Sequence, residues 1–167
     1  MATIKILYGS TDGNTERVAG MIKEELGEGT VINIADAGPA DFENADLYIL
    51  GSSTWEDGQL QEDWDIFFPE MDEIDFSGKT VAIFGLGDAE GYSGEFANAM
   101  AILHDKVIER GGRVIGSWST EGYDFEDSGS VRDGFFVGLA IDEDNEPDLT
   151  EERVKGWVAK IKEEAEL

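Results

Sequence analysis

The 167-residue chain carries 38 acidic and 12 basic residues, a formal net charge of −26, and 41% of its residues are hydrophobic. This charge predicts repulsion from nucleic acid and anionic membranes, and attraction to a basic partner protein. Cysteine is absent and His104 is the single histidine, which excludes disulfides and iron–sulfur clusters and argues against a His-rich metal site or a Ser-His-Asp triad. No apolar run is long enough for a membrane span, and the N-terminus lacks a signal-peptide layout. We therefore expect one domain over residues 1–167, cytoplasmic and without membrane insertion.

Short apolar runs alternate with helical patterns along the chain. Strands are predicted at 3–8, 30–34, 45–51, 80–87 and 113–118, and strand-like character returns at 135–141. Helices are predicted at 14–26, about 60–68, about 94–110, and from a capped start at Thr150. A Gly-, Asp- and Ser-rich stretch at 119–136 divides the last two strand candidates and reads as an insertion. Strand–helix alternation predicts a doubly wound α/β sheet with right-handed crossovers.

The first strand ends in a loop of small and polar residues, "GSTDGNT" at 9–15, before a helix begins. Ligands of doubly wound sheets bind beyond the carboxyl ends of the strands, and a helix N-terminus there favours an anion. The loop lacks the lysine of GxxxxGK[ST] and the G-x-G-x-x-G fingerprint. From the loop alone, a phosphate site and a plain capped turn both remain open.

Two later loops each place an aromatic residue among polar and glycine residues. Trp55 follows the third predicted strand and Tyr92 follows the fourth. Either aromatic alone is explained as well by peripheral packing. Together, at the same sheet edge as residues 10–15, they predict a planar ring held between Trp55 and Tyr92 with its phosphate tail in the first loop.

These stretches resemble the flavodoxins, small electron carriers that bind FMN. The first stretch is similar to their phosphate signature at Ile6, Leu7, Tyr8, Ser10, Gly13, Thr15, Ala19 and Ile22. "TWEDGQLQEDW" and "GDAEGYSGEF" resemble their two flavin-flanking loops, and 119–158 resembles the insertion and closing helix of the long-chain, cyanobacterial and algal subgroup. The resemblance implies a flavodoxin-like doubly wound five-stranded parallel sheet of order 2-1-3-4-5, with its last strand interrupted by a long insertion.

The resemblance also implies a set of FMN-binding residues. These are Ser10, Thr11, Asp12, Gly13, Asn14, Thr15, Ser53, Thr54, Trp55, Glu56, Asp57, Gly58, Gly87, Asp88, Tyr92 and Phe96. The hydroxyls and the amide of the first loop would bind the phosphate, Trp55 and Tyr92 would sandwich the isoalloxazine, and Asp88 would meet its pyrimidine edge. The Glu56–Asp57 peptide would flip on reduction, so that its carbonyl accepts the proton newly placed on flavin N5.

Two positions depart from the family pattern. Asp12 stands where a threonine is common, and we expect its carboxylate to point outward while only its N–H donates to the phosphate. Ser53 stands where a proline is common, which predicts a less rigid loop.

By this resemblance the chain is a low-potential one-electron carrier that shuttles between flavin semiquinone and hydroquinone and has no substrate turnover of its own. Its partners would be a ferredoxin–NADP reductase-like flavoprotein and photosystem I or a nitrogenase-type acceptor, each docked by a monomer through its acidic surface. Two alternatives remain: an NAD(P)H:quinone oxidoreductase of the same fold, and an FMN-free regulatory domain. The lack of basic residues for dinucleotide phosphates disfavours the first, and the joint presence of Trp55 and Tyr92 disfavours the second.

Overall fold

The computed structural model describes residues 3–11, 13–55 and 58–167. Its strands are β1 (Ile4–Gly9), β2 (Thr30–Asn33), β3 (Leu47–Trp55), β4 (Gln59–Leu60), β5 (Thr80–Leu86), β6 (Arg113–Ile115), β7 (Trp118–Ser119), β8 (Val131–Arg132), β9 (Phe135–Phe136) and β10 (Leu139–Ile141). Its α-helices are α1 (Asn14–Leu26), α2 (Glu62–Phe67), α3 (Ala99–Glu109) and α4 (Thr150–Glu164). Short 3-10 turns join several of these elements.

The main sheet is parallel, with strand order β10-β5-β3-β1-β2. The predicted fourth strand is β5, and the predicted fifth strand consists of two pieces, β6 and β10. Both pieces pair in parallel with β5, β6 along residues 80–82 and β10 along residues 84–86. The predicted order and the interrupted last strand are therefore confirmed.

The sequence predicted a strand over each of the runs 113–118 and 135–141, but in the structure each run is divided into two short strands. Strand β5 has seven residues, and two three-residue pieces occupy its free edge. The remainder of each run has no partner in the main sheet. Of these residues, Trp118 and the pair Phe135–Phe136 join a small antiparallel sheet of order β7-β9-β8 at the insertion.

Helices cover both faces of the main sheet. Helices α1 and α4 pack against each other and against one face, where Val18, Ile22 and Trp157 are buried. Helices α2 and α3 pack against the other face, where Trp64 and Leu103 are buried. Burial of each such side chain contributes about 1.5–3 kcal/mol. Two cores explain why the central strands are apolar on both faces.

Two helix starts differ from the sequence prediction. The third helix begins at Ala99 and not near residue 94, because the preceding backbone bonds to the insertion: Asp127 N donates to Ser93 O at 2.9 Å. Thr150 does not cap α4, because it lies inside the first turn and its buried hydroxyl has no hydrogen-bond partner in the described part of the chain.

Among residues 3–11, 13–55 and 58–167, no helix has the length and apolar character needed to cross a bilayer.

Candidate cofactor site

Four loops converge at one edge of the main sheet. Because the strands are parallel and in register, with Gly9 beside Ser52, Ser53 beside Leu86, and Leu86 beside Ile141, their carboxyl ends meet there. The loops that follow β1, β3, β5 and β10 therefore lie next to one another. This is the edge at which doubly wound sheets bind ligands.

The first loop leads directly into the N-terminus of α1. Gly13 has a φ of +92°, a left-handed conformation that glycine adopts without strain, and no side chain of the described residues caps the helix at this position. Gly13 N donates to Ser10 Oγ at 3.0 Å. The Ser10 hydroxyl thus accepts from the protein, which leaves its proton for a ligand. An uncapped helix start with adjacent hydroxyls suits an anion. Asp12 lies outside the described residues, so its outward orientation stays a prediction.

Gln61 forms a hydrogen bond to the first loop, and the sequence did not predict that it belongs to the site. It is only 1% exposed, and its Nε2 donates to Thr11 Oγ1 at 3.2 Å. Its Oε1 accepts from Asp63 N at 2.9 Å and Trp64 N at 3.3 Å, which caps α2. Gly9 passes so close that a Cβ there would collide with Gln61 Oε1. Gln61 thus links the first loop to the second.

The second loop is held as a hairpin. Trp55 lies opposite Gln59, and Thr54 opposite Leu60, in the antiparallel pairing of β3 with β4. The Trp55 indole Nε1 donates to Ser53 Oγ at 2.8 Å, and the ring remains 38% exposed. Glu56 and Asp57 lie outside the described residues, so the peptide flip stays a prediction.

The third loop closes on an aspartate. Asp88 Oδ1 accepts from Gly91 N at 2.7 Å, Glu90 N at 3.1 Å and Asn145 Nδ2 at 2.8 Å. The Gly91 N–H above all, and then the Asn145 amide, lower the pKa of Asp88 below its ordinary value. The carboxylate therefore fixes the loop that presents Tyr92, whose ring is 49% exposed.

A cleft of about 200 Å³ opens between these loops. Seven of the predicted site residues line it: Asn14, Ser53, Thr54, Trp55, Gly87, Asp88 and Tyr92. The two aromatic rings predicted to flank a planar ligand therefore share one cleft with the first residue of α1. Thr11 instead lines a neighbouring groove on which Trp55 also borders.

The other described residues of the predicted set do not line the cleft. They are Ser10, Gly13, Thr15, Gly58 and Phe96. Ser10 and Gly13 belong to the first loop, and Thr15 is a buried residue in the first turn of α1. Phe96 is fully buried, and its ring stacks on Phe125 of the insertion at a centroid separation of 5.3 Å.

The fourth loop, "DEDN" at 142–145, was not predicted to take part. Glu143 and Asp144 line the cleft. Glu143 forms an ion pair with Arg17, and its other carboxylate oxygen is buried without a hydrogen-bond partner among the described residues. Its one sequence signal is position, since it directly follows the last strand candidate.

The buried Asp142 ties the fourth loop to the third. Its Oδ2 accepts from Ala89 N at 3.1 Å, and the Asn145 amide donates to both Asp142 and Asp88. Asp88, Asp142 and Asp144 place carboxylate oxygens within 4.8 Å of one another. Because the Asn145 amide N–H already bonds two of these carboxylates, the arrangement serves to join the loops.

The comparisons with known proteins agree with this geometry. The flavodoxin family model matches residues 6–157. The flavodoxin of Trichodesmium erythraeum is 50% identical over 168 residues, covering 98% of both chains, and that of Synechocystis is 48% identical over 165 residues, covering 97% of both. A crystal structure of Fusobacterium nucleatum flavodoxin bound to flavin mononucleotide is 33% identical, with a TM-score of 0.93 over 98% of this chain and 99% of that one.

Proposed function

Since this chain belongs to the flavodoxin family, whose members are electron carriers and not enzymes, we propose that it binds FMN non-covalently and carries one electron at a time. The observation that carries the proposal is the cleft itself. Trp55 and Tyr92 line one cavity that borders the uncapped N-terminus of α1. A planar ring with a phosphate tail matches this arrangement of aromatic faces and anion donors.

The described residues of the first loop offer neutral hydrogen-bond donors for the FMN phosphate. The phosphate would meet backbone N–H groups of the first loop and the hydroxyls of Ser10, Thr11 and Thr15. Ser10 and Thr11 already accept hydrogen bonds from the protein, which leaves their protons to donate. The isoalloxazine would lie between the aromatic rings. When bound, FMN supplies the redox chemistry, and the protein sets its potential.

The surrounding charge favours operation at low potential. Asp88, Glu143 and Asp144 line the cleft of a chain with a net charge of −26. Among the described residues, Glu143 of the cleft lining forms an ion pair with Arg17, so the charge of that cation is already compensated. An anionic hydroquinone would be destabilised here, whereas a neutral semiquinone would not. The carrier is therefore proposed to cycle between these two states.

The acidic surface favours basic redox partners by electrostatic steering. On the family resemblance, we propose a ferredoxin–NADP reductase-like flavoprotein as donor and photosystem I or a nitrogenase-type protein as acceptor. We also propose that the protein is a monomer and is located in the cytoplasm. The insertion at 119–136 is proposed to contribute to docking.

The discriminating experiment compares reduction with and without a reductase. The FMN-loaded protein is mixed anaerobically with NADPH alone, or with NADPH and a catalytic amount of ferredoxin–NADP reductase. We expect rapid bleaching only with the reductase, because none of the described residues that line the cleft is a lysine or arginine that could bind dinucleotide phosphates. Rapid bleaching by NADPH alone would favour the quinone oxidoreductase, and failure to bind FMN at micromolar concentration would refute both.

A further inference from the structure

Ser53 lines the cleft from the carboxyl end of β3. Its backbone is fixed, since it pairs with Leu86 in the sheet and its carbonyl accepts from Ser52 Oγ at 2.8 Å. Its hydroxyl is therefore presented from a rigid strand. Residues two apart on a strand share a face, and the residue two positions on is Trp55.

The Ser53 hydroxyl accepts the indole N–H of Trp55 at 2.8 Å. An indole N–H is a donor only, and this is its one hydrogen bond in the described part of the chain. Trp55 is 38% exposed and is the last residue of β3. The hydrogen bond favours one rotamer of the Trp55 side chain.

That orientation determines how the indole meets a ligand. Trp55 lies between the cleft and the neighbouring groove lined by Thr11, Gln59 and Asp65, and it borders both. A ring rotated from this position would either occupy the cleft or leave it open on that side. We propose that Ser53 is a positioning residue, whose hydroxyl pre-orients Trp55 as the stacking wall for the isoalloxazine; this inference rests on the FMN site proposed above.

The energetic consequence follows from preorganisation. A ring already held in the binding orientation loses less side-chain freedom when the ligand arrives. A neutral hydrogen bond of this kind contributes about 1 kcal/mol, which converts to a change of about fivefold in the dissociation constant. We expect the change in the rate of FMN association, obtained from the affinity and the measured release rate, because the bond acts on the apoprotein by raising the fraction of molecules whose ring is already in the binding orientation.

The test compares Ser53→Thr with Ser53→Val. Both introduced side chains are β-branched and nearly equal in shape, and they differ in the hydroxyl that accepts the indole proton. Ser53→Ala serves as a third variant that removes the hydroxyl without adding volume. For each protein we would measure FMN titration of the apoprotein, the rate of FMN release, the denaturant midpoint of the apoprotein, and the Trp55 indole 1H–15N signal, assigned with Trp55→Phe.

We expect Ser53→Thr to retain the indole chemical shift and the FMN affinity of the parent protein. Ser53→Val and Ser53→Ala should move the indole signal toward that of solvent-exposed tryptophan and weaken FMN binding about fivefold, while a single cooperative denaturant transition in each variant shows that its apoprotein is folded. Equal FMN affinity in the Thr and Val variants, or an indole signal that does not distinguish them, would overturn the proposal. The indole signal is read in the apoprotein, so it tests the Ser53–Trp55 bond even if the parent protein fails to bind FMN.

Discussion

The replacement of Gln61 by methionine tests how the protein supports its phosphate loop. The two side chains are similar in length, but methionine can neither donate to Thr11 nor accept from the first turn of α2. Gln61 is 1% exposed and makes these bonds at 3.2 Å to Thr11 Oγ1, 2.9 Å to Asp63 N and 3.3 Å to Trp64 N. Their loss acts on two separate properties, folding and FMN binding.

The expected effect on folding comes from the helix cap. Loss of a capping side chain costs about 1 kcal/mol, and the buried Trp64 N–H left without an acceptor costs about 1–2 kcal/mol more. We therefore expect Gln61→Met to lower the free energy of unfolding of the apoprotein by about 2–3 kcal/mol. A domain of this size tolerates that loss and stays folded. Urea denaturation followed by circular dichroism measures it.

The expected effect on binding is confined to the phosphate. Without Gln61, the Thr11 hydroxyl is no longer fixed as a donor, and FMN affinity should fall about fivefold. Riboflavin, which lacks the phosphate, should bind the parent and the variant equally. A double-mutant cycle with Thr11→Val should show a coupling near 1 kcal/mol for FMN and none for riboflavin. Equal losses for FMN and riboflavin, or no coupling between positions 61 and 11, would refute the reasoning.

Three further outcomes follow from the described contacts. Arg17→Met should lower the free energy of unfolding by about 1–2 kcal/mol, because it leaves the mostly buried Glu143 carboxylate unpaired. The same substitution in a Glu143→Gln background should cost much less, and an equal cost in both backgrounds would show that the ion pair is not the cause. Asp88→Asn should reduce the dependence of stability on pH in the acid range. A carboxyl whose folded-state pKa is lowered contributes stability that is present above its unfolded pKa of about 4 and is lost as the pH falls through the folded-state pKa. Parallel acid-denaturation curves of the parent and the variant would contradict this. Burial raises the pKa of Tyr123 to about 12, so its stabilising contribution should be lost as the pH rises through that value, and Tyr123→Phe should lack this part of the alkaline transition in a tyrosinate absorbance titration.

The parts of the fold that the sequence predicts are those with a strong local period. The stripe of Val18, Ile22 and Leu26 on α1 and the stripe of Val154, Trp157 and Ile161 on α4 are buried as predicted. The prediction of continuous strands at 113–118 and 135–141 was wrong because the length of each strand depends on how many residues of β5 it can pair with. No local sequence pattern contains that information. Thr150 was misread because a threonine before an acidic turn has the same local pattern as a cap.

The candidate site shows the same division. Trp55 and Tyr92 were predictable because large aromatics among polar and glycine residues are unusual in a loop. Gln61 was not, because its role depends on Thr11, 50 positions away in the chain. Glu143 was missed because an acidic loop in so acidic a chain carries no distinguishing composition. Contacts between distant loops are set by the sheet, and they become visible only once the strands are in register.

The central claim is that this protein exchanges single electrons through one bound FMN. An anaerobic spectroelectrochemical titration of the FMN-loaded protein tests it most directly. We predict two separated one-electron steps, with the absorbance of a neutral flavin radical between them and the second step at the lower potential. A single two-electron step without radical absorbance would contradict the account.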